Sequence, residues 1–231
     1  MSLANIVIQG TAGHLMSDSG WFNRDGTIAR LMPKVLTFPE YRLAITGRGQ
    51  HDILAGMLQE IRHFAARHGS ATGRDVIGSF SELYAAACMV QGVPSRGREN
   101  ACDVQLVWYD AERQRATGGL IANIVDDHPG LSPFMLQPVL CSFTGDIDPD
   151  SPLGAPADVT NPAAFDVRCD GRKVAARQRA RPWALPGYPE AYYVAGAVHL
   201  ATVSADGVRV EVLCEWPDKV GERINPELAP V

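Results

Sequence analysis

The hydrophobic period of this chain changes in long blocks, and the order of those blocks limits the folds that it can adopt. Strand-like runs occupy four blocks, at residues 5–46, 103–124, 137–143 and 192–216. Helical periods fall between them, at residues 51–68, 75–90 and 161–179. Strands that alternate one by one with helices would indicate a parallel sheet. Here the strands come in groups, so the sequence predicts antiparallel sheets with segregated helices.

The helical segments are of the kind that covers one face of a sheet. From His51 to His68 the apolar residues recur at three- and four-residue steps. Residues 75–90 predict one further helix, and residues 161–179 predict one or two helices with a break near Asp170 and Gly171. Two sheets packed face to face, with a helix layer on each outer side, satisfy this order. We therefore predict an α+β fold, a four-layer αββα sandwich of two antiparallel sheets.

Four pairs of strands joined by turns are predicted. They join Asn5–Gln9 to His14–Ser17, Val35–Phe38 to Arg42–Thr46, Asp103–Tyr109 to Ala116–Ile124, and Tyr192–Val203 to Val208–Trp216. Residues 137–143 predict one further strand, and the polar tail at 217–231 is predicted to be loosely held. Sheet-rich chains of this length often stay whole, so we predict a single domain over residues 1–231.

The composition argues against several classes of protein. The net charge of −5 disfavours generic nucleic-acid binding, which needs a basic surface. No apolar run reaches the roughly 18–20 residues that span a bilayer, and the first residues lack the basic and apolar segments of a secretory signal. We therefore predict a cytoplasmic protein without membrane contact. The five cysteines are scattered without a CxxC pair, which predicts reduced thiols and neither a disulfide framework nor a zinc site.

Four short segments carry a resemblance to a known family. They are Ser17-Asp18-Ser19 at the end of a strand pair, Lys34-Val35 at the start of a strand, Ala44–Gly49 before the first helix, and the hairpin Gly196–Arg209. Their order and spacing resemble the proteasome β-subunit family with its bacterial relatives HslV and Anbu, and the Ser-Asp-Ser segment is most similar to Anbu. The resemblance implies the αββα fold of N-terminal-nucleophile hydrolases over nearly the whole chain. It also implies a ring or stacked homo-oligomer and a peptide or amide substrate.

The spacing of three residues is the most specific part of this resemblance. Ser2, Asp18 and Lys34 are separated by equal steps of 16 positions (18 − 2 and 34 − 18), as are the nucleophile, acid and lysine of the family. Removal of Met1 would give Ser2 a free α-amino group, and a small residue next to the initiator favours that removal. The resemblance implies that Ser2 is the nucleophile, that Lys34 assists its deprotonation and that Asp18 holds the lysine.

The turn at residues 47–49 lies where the family places its oxyanion hole, which implies Gly47 first and Gly49 second as residues of that hole. These glycines also suit a strand-to-helix turn that simply needs unusual dihedrals. Asp18 could equally cap a turn, and Lys34 could be a solvated lysine at the end of a strand. Ser2 could be an N-terminal residue without a role in chemistry.

Two functions follow, and residues near the last hairpin separate them. Proteolytically active family members usually carry an Asp and a Ser just before the glycines of that hairpin. Residues 191–196 contain neither, Glu190 is the nearest carboxylate, and Leu3 replaces the usual second Thr. The first hypothesis is an amidohydrolase or peptidase that uses Ser2, and the alternative is a catalytically silent proteasome-like subunit with a structural or assembly role. A third possibility is an unrelated α/β binding protein.

Other polar clusters carry weaker signals, and none of them predicts a metal or a cofactor. Asp146, Asp148 and Asp150 lack the Gly and Glu of a calcium loop, so a plain acidic loop is predicted there. The run at residues 126–128 predicts a solvated turn, and His51 predicts a surface histidine at a helix start that could also line the pocket. Basic residues predict a solvated helix face or a docking surface for an acidic neighbour. They are Arg172, Lys173, Arg177, Arg179 and Arg181.

Overall fold

Two five-stranded antiparallel sheets form the centre of the molecule. The computed structural model describes residues 3–49, 52–93, 100–124, 132–143, 161–184 and 189–230. Sheet I contains, in spatial order, β10 (Cys141–Ser142), β1 (Ala4–Gln9), β2 (Ala12–Asp18), β11 (Ala197–Ser204) and β12 (Gly207–Glu215). Sheet II contains β5 (Leu36–Phe38), β6 (Leu43–Arg48), β7 (Asp103–Asp110), β8 (Arg115–Ala122) and β9 (Gln137–Val139). A separate hairpin pairs β3 (Gly20–Phe22) with β4 (Ile28–Leu31).

Helices cover the outer face of each sheet and complete four layers. The helices on sheet II are α1 (Ile53–Arg67), α2 (Gly73–Gly78) and α3 (Phe80–Val90), and α4 (Cys169–Ala180) lies on sheet I. Between the sheets, apolar side chains such as Ile6, Leu15 and Val107 form a third buried cluster. The prediction of a four-layer αββα sandwich of two antiparallel sheets is therefore confirmed.

The four predicted strand pairs are present as β1–β2, β5–β6, β7–β8 and β11–β12. The turn of the first hairpin has Gly10 in the left-handed region at φ +60°, which suits glycine. The β3–β4 hairpin was not predicted, because its strands of three and four residues are too short to show an alternating period. Ile28 anchors this hairpin by packing against Ala195 and Ile224.

The prediction of one strand over residues 137–143 is wrong, because this segment crosses from one sheet to the other. β9 pairs with β8 in sheet II, and β10 pairs with β1 in sheet I. Between them, the carbonyl of Leu140 accepts a hydrogen bond from the Ile8 amide at 2.8 Å. The same short stretch thus forms an edge of both sheets. An apolar run cannot reveal such a crossing, since both halves have the same period.

Two helix predictions also need correction. Residues 75–90 were predicted as one helix, but the chain turns at Ser79 and forms α2 and α3 separately. The predicted break near Asp170 and Gly171 does not occur, because both residues lie in the first turn of α4. Gly171 is there for close packing. A Cβ at this position would lie 2.9 Å from the Met16 sulfur, so a larger residue here would require the Met16 side chain to move.

The tail after Pro217 packs against the molecule through residue 224, contrary to the prediction that it is loosely held. The amide of Ile28 donates to the carbonyl of Glu222 at 2.9 Å, and the amide of Gly221 donates to the carbonyl of Ile28 at 2.8 Å. Ile224 is buried against the β3–β4 hairpin, and Asp218 is buried near the start of β11. A polar composition concealed these contacts.

The basic run on α4 is only partly a solvated face. Arg172, Lys173 and Arg181 are exposed, whereas Arg177 and Arg179 are buried. Arg179 is 1% exposed and forms an ion pair with Asp218 at 2.7 Å. The prediction of a solvated helix face is therefore wrong for two of the five residues, because charge alone does not show which side of a helix faces the sheet.

Other features of the sequence have simple counterparts. All five cysteines carry free thiols. In the parts of the chain that the structure describes, no helix is long and apolar enough to cross a membrane. Within the same parts, no three side chains of the metal-binding types come together. The predicted acidic loop with Asp146, Asp148 and Asp150, the run at 126–128 and His51 lie outside the described residues.

Candidate active site around Asp18 and Lys34

Asp18 and Lys34 meet at the end of sheet I. The Lys34 ammonium donates a hydrogen bond to Asp18 Oδ1 at 3.0 Å. Both side chains are removed from water, with exposed fractions of 3% for Lys34 and 0% for Asp18. A buried ion pair of this kind is costly to form unless further hydrogen bonds satisfy the remaining polar atoms. Its presence therefore indicates a built site, and the solvated strand-end alternative for Lys34 is wrong.

The surroundings of Lys34 set its protonation. Burial lowers the pKa of Lys34 from its ordinary value, and the charge and hydrogen bond of Asp18 oppose that change. The ring centroids of Trp21 and Phe22 lie 5.7 and 6.0 Å from the Lys34 nitrogen. These two aromatic rings exclude water on one side of the lysine and leave its ammonium within reach of π faces.

The Asp18 carboxylate receives hydrogen bonds from four groups in different parts of the chain. Its Oδ1 accepts from the Leu3 amide at 3.0 Å, in addition to Lys34. Its Oδ2 accepts from the Gly20 amide at 3.0 Å and from the Ala195 amide at 3.2 Å. These contacts hold the carboxylate in one orientation and present a fixed negative charge to the lysine.

Ser2 lies outside the described residues, whereas Leu3, to which it is bonded, is fully buried at the start of β1. The Leu3 carbonyl accepts a hydrogen bond from Ser17 Oγ at 3.0 Å, and Ser17 in turn accepts from Thr46 Oγ1 at 2.9 Å. Both backbone groups of Leu3 are thus fixed beside the Asp18–Lys34 pair. The chain N-terminal to Leu3 therefore starts from a defined point.

Gly47 belongs to β6, and the register of the strand shows where its backbone points. The Tyr109 amide donates to the Arg42 carbonyl, so the even-numbered positions of β6 bond to β7 and the backbone of Gly47 faces the β5 side. Leu36, the first residue of β5, pairs with Ile45, so Gly47 lies beyond this pair at the end of β5 that follows Lys34. The N–H of Gly47 is therefore on the side of sheet II that carries the lysine.

Gly49 lies beyond the end of β6 and is required for a different reason. Its φ is +136°, a conformation that favours glycine. A Cβ at this position would lie 2.5 Å from the Cβ of Cys102 and 2.8 Å from the Ala101 carbonyl. Packing alone explains Gly49, so the simple turn explanation applies to it more strongly than to Gly47.

One wall of the site is formed by the β3–β4 hairpin and the start of α1. The Arg30 guanidinium lies 4.1 Å from the centre of the Trp21 ring and forms an ion pair with Asp52 at 3.4 Å. Asp52 also caps α1 by accepting a hydrogen bond from the Ala55 amide at 3.1 Å. Arg30 thereby links the hairpin to the helix next to Lys34. Sequence reasoning did not predict this link.

Two backbone amides at the start of the last hairpin donate to an acid and a serine from elsewhere in the chain. Asp218 Oδ2 accepts a hydrogen bond from the Gly196 amide at 2.8 Å. Ser19 Oγ accepts a hydrogen bond from the Ala197 amide at 2.9 Å. Ser19 was part of the recognised Ser-Asp-Ser segment, but Asp218 lies in a stretch that was read as tail. An acid placed directly after the last strand was the available signal.

Comparison with known proteins bears on this arrangement of sheets, helices and site. The chain superposes on a Gly-1 mutant of Anbu from Hyphomicrobium sp. strain MC1 with a TM-score of 0.61, covering 95% of this chain and 89% of that one at 8% identity. It superposes on Anbu, described as an ancestral beta-subunit, from Yersinia bercovieri with a TM-score of 0.60, covering 92% and 86% at 8% identity. The chain has the Anbu fold. No family model and no curated protein sequence matches it.

The Anbu fold accounts for the order of elements that the sequence predicted. Both Anbu chains are covered over most of their length, so the likeness extends through both sheets and both helix layers. At 8% identity the likeness concerns the fold. The roles of Ser2, Asp18, Lys34, Gly47 and Gly49 depend on the geometry of this chain.

Proposed function

We propose that this chain is an N-terminal-nucleophile hydrolase of amide or peptide bonds, with Ser2 as its nucleophile after removal of Met1. The observation that carries the proposal is the buried Lys34–Asp18 pair, whose carboxylate also binds the Leu3 amide. Because Ser2 is bonded to that amide, its peptide carbon is one C–N bond, about 1.33 Å, from a group held by Asp18. The Leu3 nitrogen, to which Ser2 is joined, and the Lys34 ammonium therefore share one carboxylate oxygen.

The free α-amino group of Ser2 would serve as the general base. N-terminal amines have an ordinary pKa of about 7.7–8.0, so a useful fraction is neutral near pH 7. The nearby Lys34 ammonium disfavours protonation of this amine, and Asp18 keeps the lysine in place. The amine takes the hydroxyl proton as the Ser2 oxygen bonds to the substrate carbonyl carbon. That proton then passes to the leaving nitrogen as the C–N bond breaks, and water hydrolyses the resulting ester.

The charge that develops on the substrate carbonyl oxygen needs hydrogen-bond donors. We assign the first donor to the Gly47 N–H, because the strand register directs it to the side of Lys34. Gly49 would contribute mainly by allowing the turn, since its φ and its packing against Cys102 require glycine. This order agrees with the order predicted from the sequence.

The same proposal includes self-association into a ring or a stacked homo-oligomer. Val210 and Val212 are 43% and 54% exposed on β12, the edge strand of sheet I. A second copy of the chain would cover this apolar edge, which otherwise remains available for unwanted pairing. Gel filtration and native mass spectrometry of the purified protein would show a multimer, and a monomer at micromolar concentration would contradict this part of the proposal.

The alternative is a catalytically silent subunit with a structural or assembly role. It is favoured by residues 191–196, which provide neither the carboxylate nor the hydroxyl that active family members carry there. The backbone amides of Gly196 and Ala197 donate instead to Asp218 and Ser19, which come from other parts of the chain. The two proposals differ in one measurable property, the reactivity of Ser2.

That reactivity can be tested by the intact mass of the protein before and after treatment with a β-lactone or a fluorophosphonate. We expect a chain without Met1 that gains one adduct, and we expect Ser2→Ala to abolish it. Ser204→Ala, a change at the remote β11–β12 turn, is the matched control and should retain the adduct. A chain that keeps Met1 and gains no adduct would favour the silent subunit.

A further inference from the structure

The backbone that leads into β11 is held by charged side chains from two other parts of the chain. Asp218 Oδ2 accepts from the Gly196 amide at 2.8 Å, and Arg179 Nη1 donates to the Val194 carbonyl at 2.7 Å. Between them, Ala195 donates its amide to Asp18 Oδ2 at 3.2 Å. The peptide group that reaches Asp18 is thus fixed on both of its sides.

Arg179 and Asp218 form an ion pair as completely buried as that of Lys34 and Asp18, with side chains 1% and 2% exposed. Arg179 bonds both Asp218 oxygens, at 2.7 and 2.8 Å, and it also donates to the Asn225 carbonyl at 2.9 Å. The Trp216 ring lies 4.8 Å from the guanidinium carbon. Apolar residues of similar volume often stabilise a fold as well as a buried ion pair does, so the pair invites an explanation from its geometry.

We infer that Arg179 and Asp218 are positioning residues for the Asp18–Lys34 pair, acting through the backbone of residues 194–196. Asp18 Oδ1 accepts from Lys34 and the Leu3 amide, and the orientation of the carboxylate that makes these contacts is set by the two amides on Oδ2, those of Gly20 and Ala195. Ala195 supplies the hydrogen bond to Oδ2 that comes from the far end of the chain. An effect of these residues on catalysis rests on the proposed function. Their effect on the orientation of Lys34 is independent of that function.

The chain offers a direct observation of Lys34, because it contains three lysines, at positions 34, 173 and 219. A protein labelled with ¹³C and ¹⁵N at lysine therefore gives three sets of side-chain NMR signals, and Lys34→Arg identifies the buried one. Lys219 adjoins Asp218, so Lys173, which is paired with Asp170 on the exposed side of α4, is the internal reference.

Two variants and one control separate positioning from a general effect on the fold. Asp218→Asn removes the charge of the pair, and Arg179→Met with Asp218→Leu replaces both members by apolar side chains, which keeps the core free of an unpaired charge. Glu211→Gln is the matched control. It removes the exposed ion pair between Arg168 and Glu211, which also joins the start of α4 to β12.

In the folded double variant we expect the Lys34 signals to shift and the pKa of Lys34 to fall further, because Asp18 is held less well. The Lys173 signals should stay unchanged, and Glu211→Gln should leave all three lysines as they are. Unchanged Lys34 signals in a folded double variant would overturn the inference. If the single variant does not fold, the double variant still decides the question.

Probe reactivity then tests the catalytic consequence. Where the wild-type protein forms the Ser2 adduct, the double variant should react about a hundredfold more slowly, as expected for a displacement of about 1 Å in an active site. An unchanged rate would contradict a positioning role in catalysis. If the wild-type protein forms no adduct, the proposed function fails, and the lysine signals still show whether Arg179 and Asp218 orient Lys34.

Discussion

Helices α1, α2 and α3 pack on sheet II through side chains that are nearly all apolar, including Met57, Phe80 and Leu106. Helix α4 packs on sheet I through a smaller apolar cluster together with buried polar groups. Asn5 and Gln178 exchange two amide hydrogen bonds of 2.9 Å across this second interface, and Arg179 enters it with a full charge. The difference teaches that the layer next to the Asp18–Lys34 pair is specified by directional contacts, whereas the opposite layer is specified by shape and volume.

The largest expected effect tests the directional layer. Arg179→Met leaves the Asp218 carboxylate buried without its cation, which should lower the free energy of unfolding by about 3–5 kcal/mol. Adding Asp218→Leu should recover most of that loss, because no charge then remains in the apolar surroundings. Urea-induced unfolding of both variants measures the two steps. A double variant no more stable than the single one would show that the unpaired Asp218 charge is not the cause of the loss.

A comparable effect in the apolar layer should follow a different rule. Met57 is fully buried in α1, so Met57→Ala should cost about 2–5 kcal/mol by leaving a cavity. Met57→Leu conserves volume and should cost less than about 1.5 kcal/mol. The same urea titrations give both values. Equal losses for the alanine and leucine variants would contradict a layer specified by volume.

Acid should weaken the two layers to different degrees. Burial lowers the pKa of His14, on the α4 side of sheet I, to about 4 from its ordinary value. Between about pH 6.5 and pH 4 the unfolded chain binds more protons than the folded chain, so stability is lost as the pH falls, by about 1–3 kcal/mol. When the free energy of unfolding is measured across this pH range, it should depend less steeply on pH in His14→Gln than in the wild-type protein.

The smallest expected effect comes from an exposed contact of the same α4 layer. Arg168 and Glu211 form a bidentate ion pair with side chains 66% and 35% exposed. Glu211→Gln should change the free energy of unfolding by less than about 1 kcal/mol, and added salt should reduce even that difference. If Glu211→Gln lowered the free energy of unfolding as much as Arg179→Met, exposure to solvent would not explain the difference in stability between the two ion pairs.

Much of the fold could be predicted because it depends on periods that the sequence displays. The alternation in β1 and β2 and the helical period of α1 are local, and each is long enough to be read without its partners. The crossing at Leu140 and the turn at Ser79 could not be predicted, since the apolar residues on either side continue the same pattern. The packing of α4 on Met16 explains Gly171, and only the assembled sheet supplies that contact.

The candidate site divides in the same way. Asp18 and Lys34 were found from a spacing, and the structure brings their side chains together at 3.0 Å. Arg179 and Asp218 were missed because a charged residue normally faces water, and nothing local marks one that is paired across 39 positions. The catalytic role of Ser2 is a prediction that the adduct measurement will decide, and the role of Gly47 as an oxyanion donor stays a prediction.

The Asp18 carboxylate, close to the beginning of the chain, receives hydrogen bonds from Leu3 and from Ala195, and the backbone at Ala195 is secured by Asp218. Translation delivers the N-terminal residues first, and nascent domains fold as their later parts emerge. A ribosome-bound chain therefore presents its N-terminus long before the carboxylate that organises it can be fully held. A product truncated before residue 195 would lack one of the four hydrogen bonds to Asp18, and one truncated before residue 218 would lack the contact that secures the backbone there.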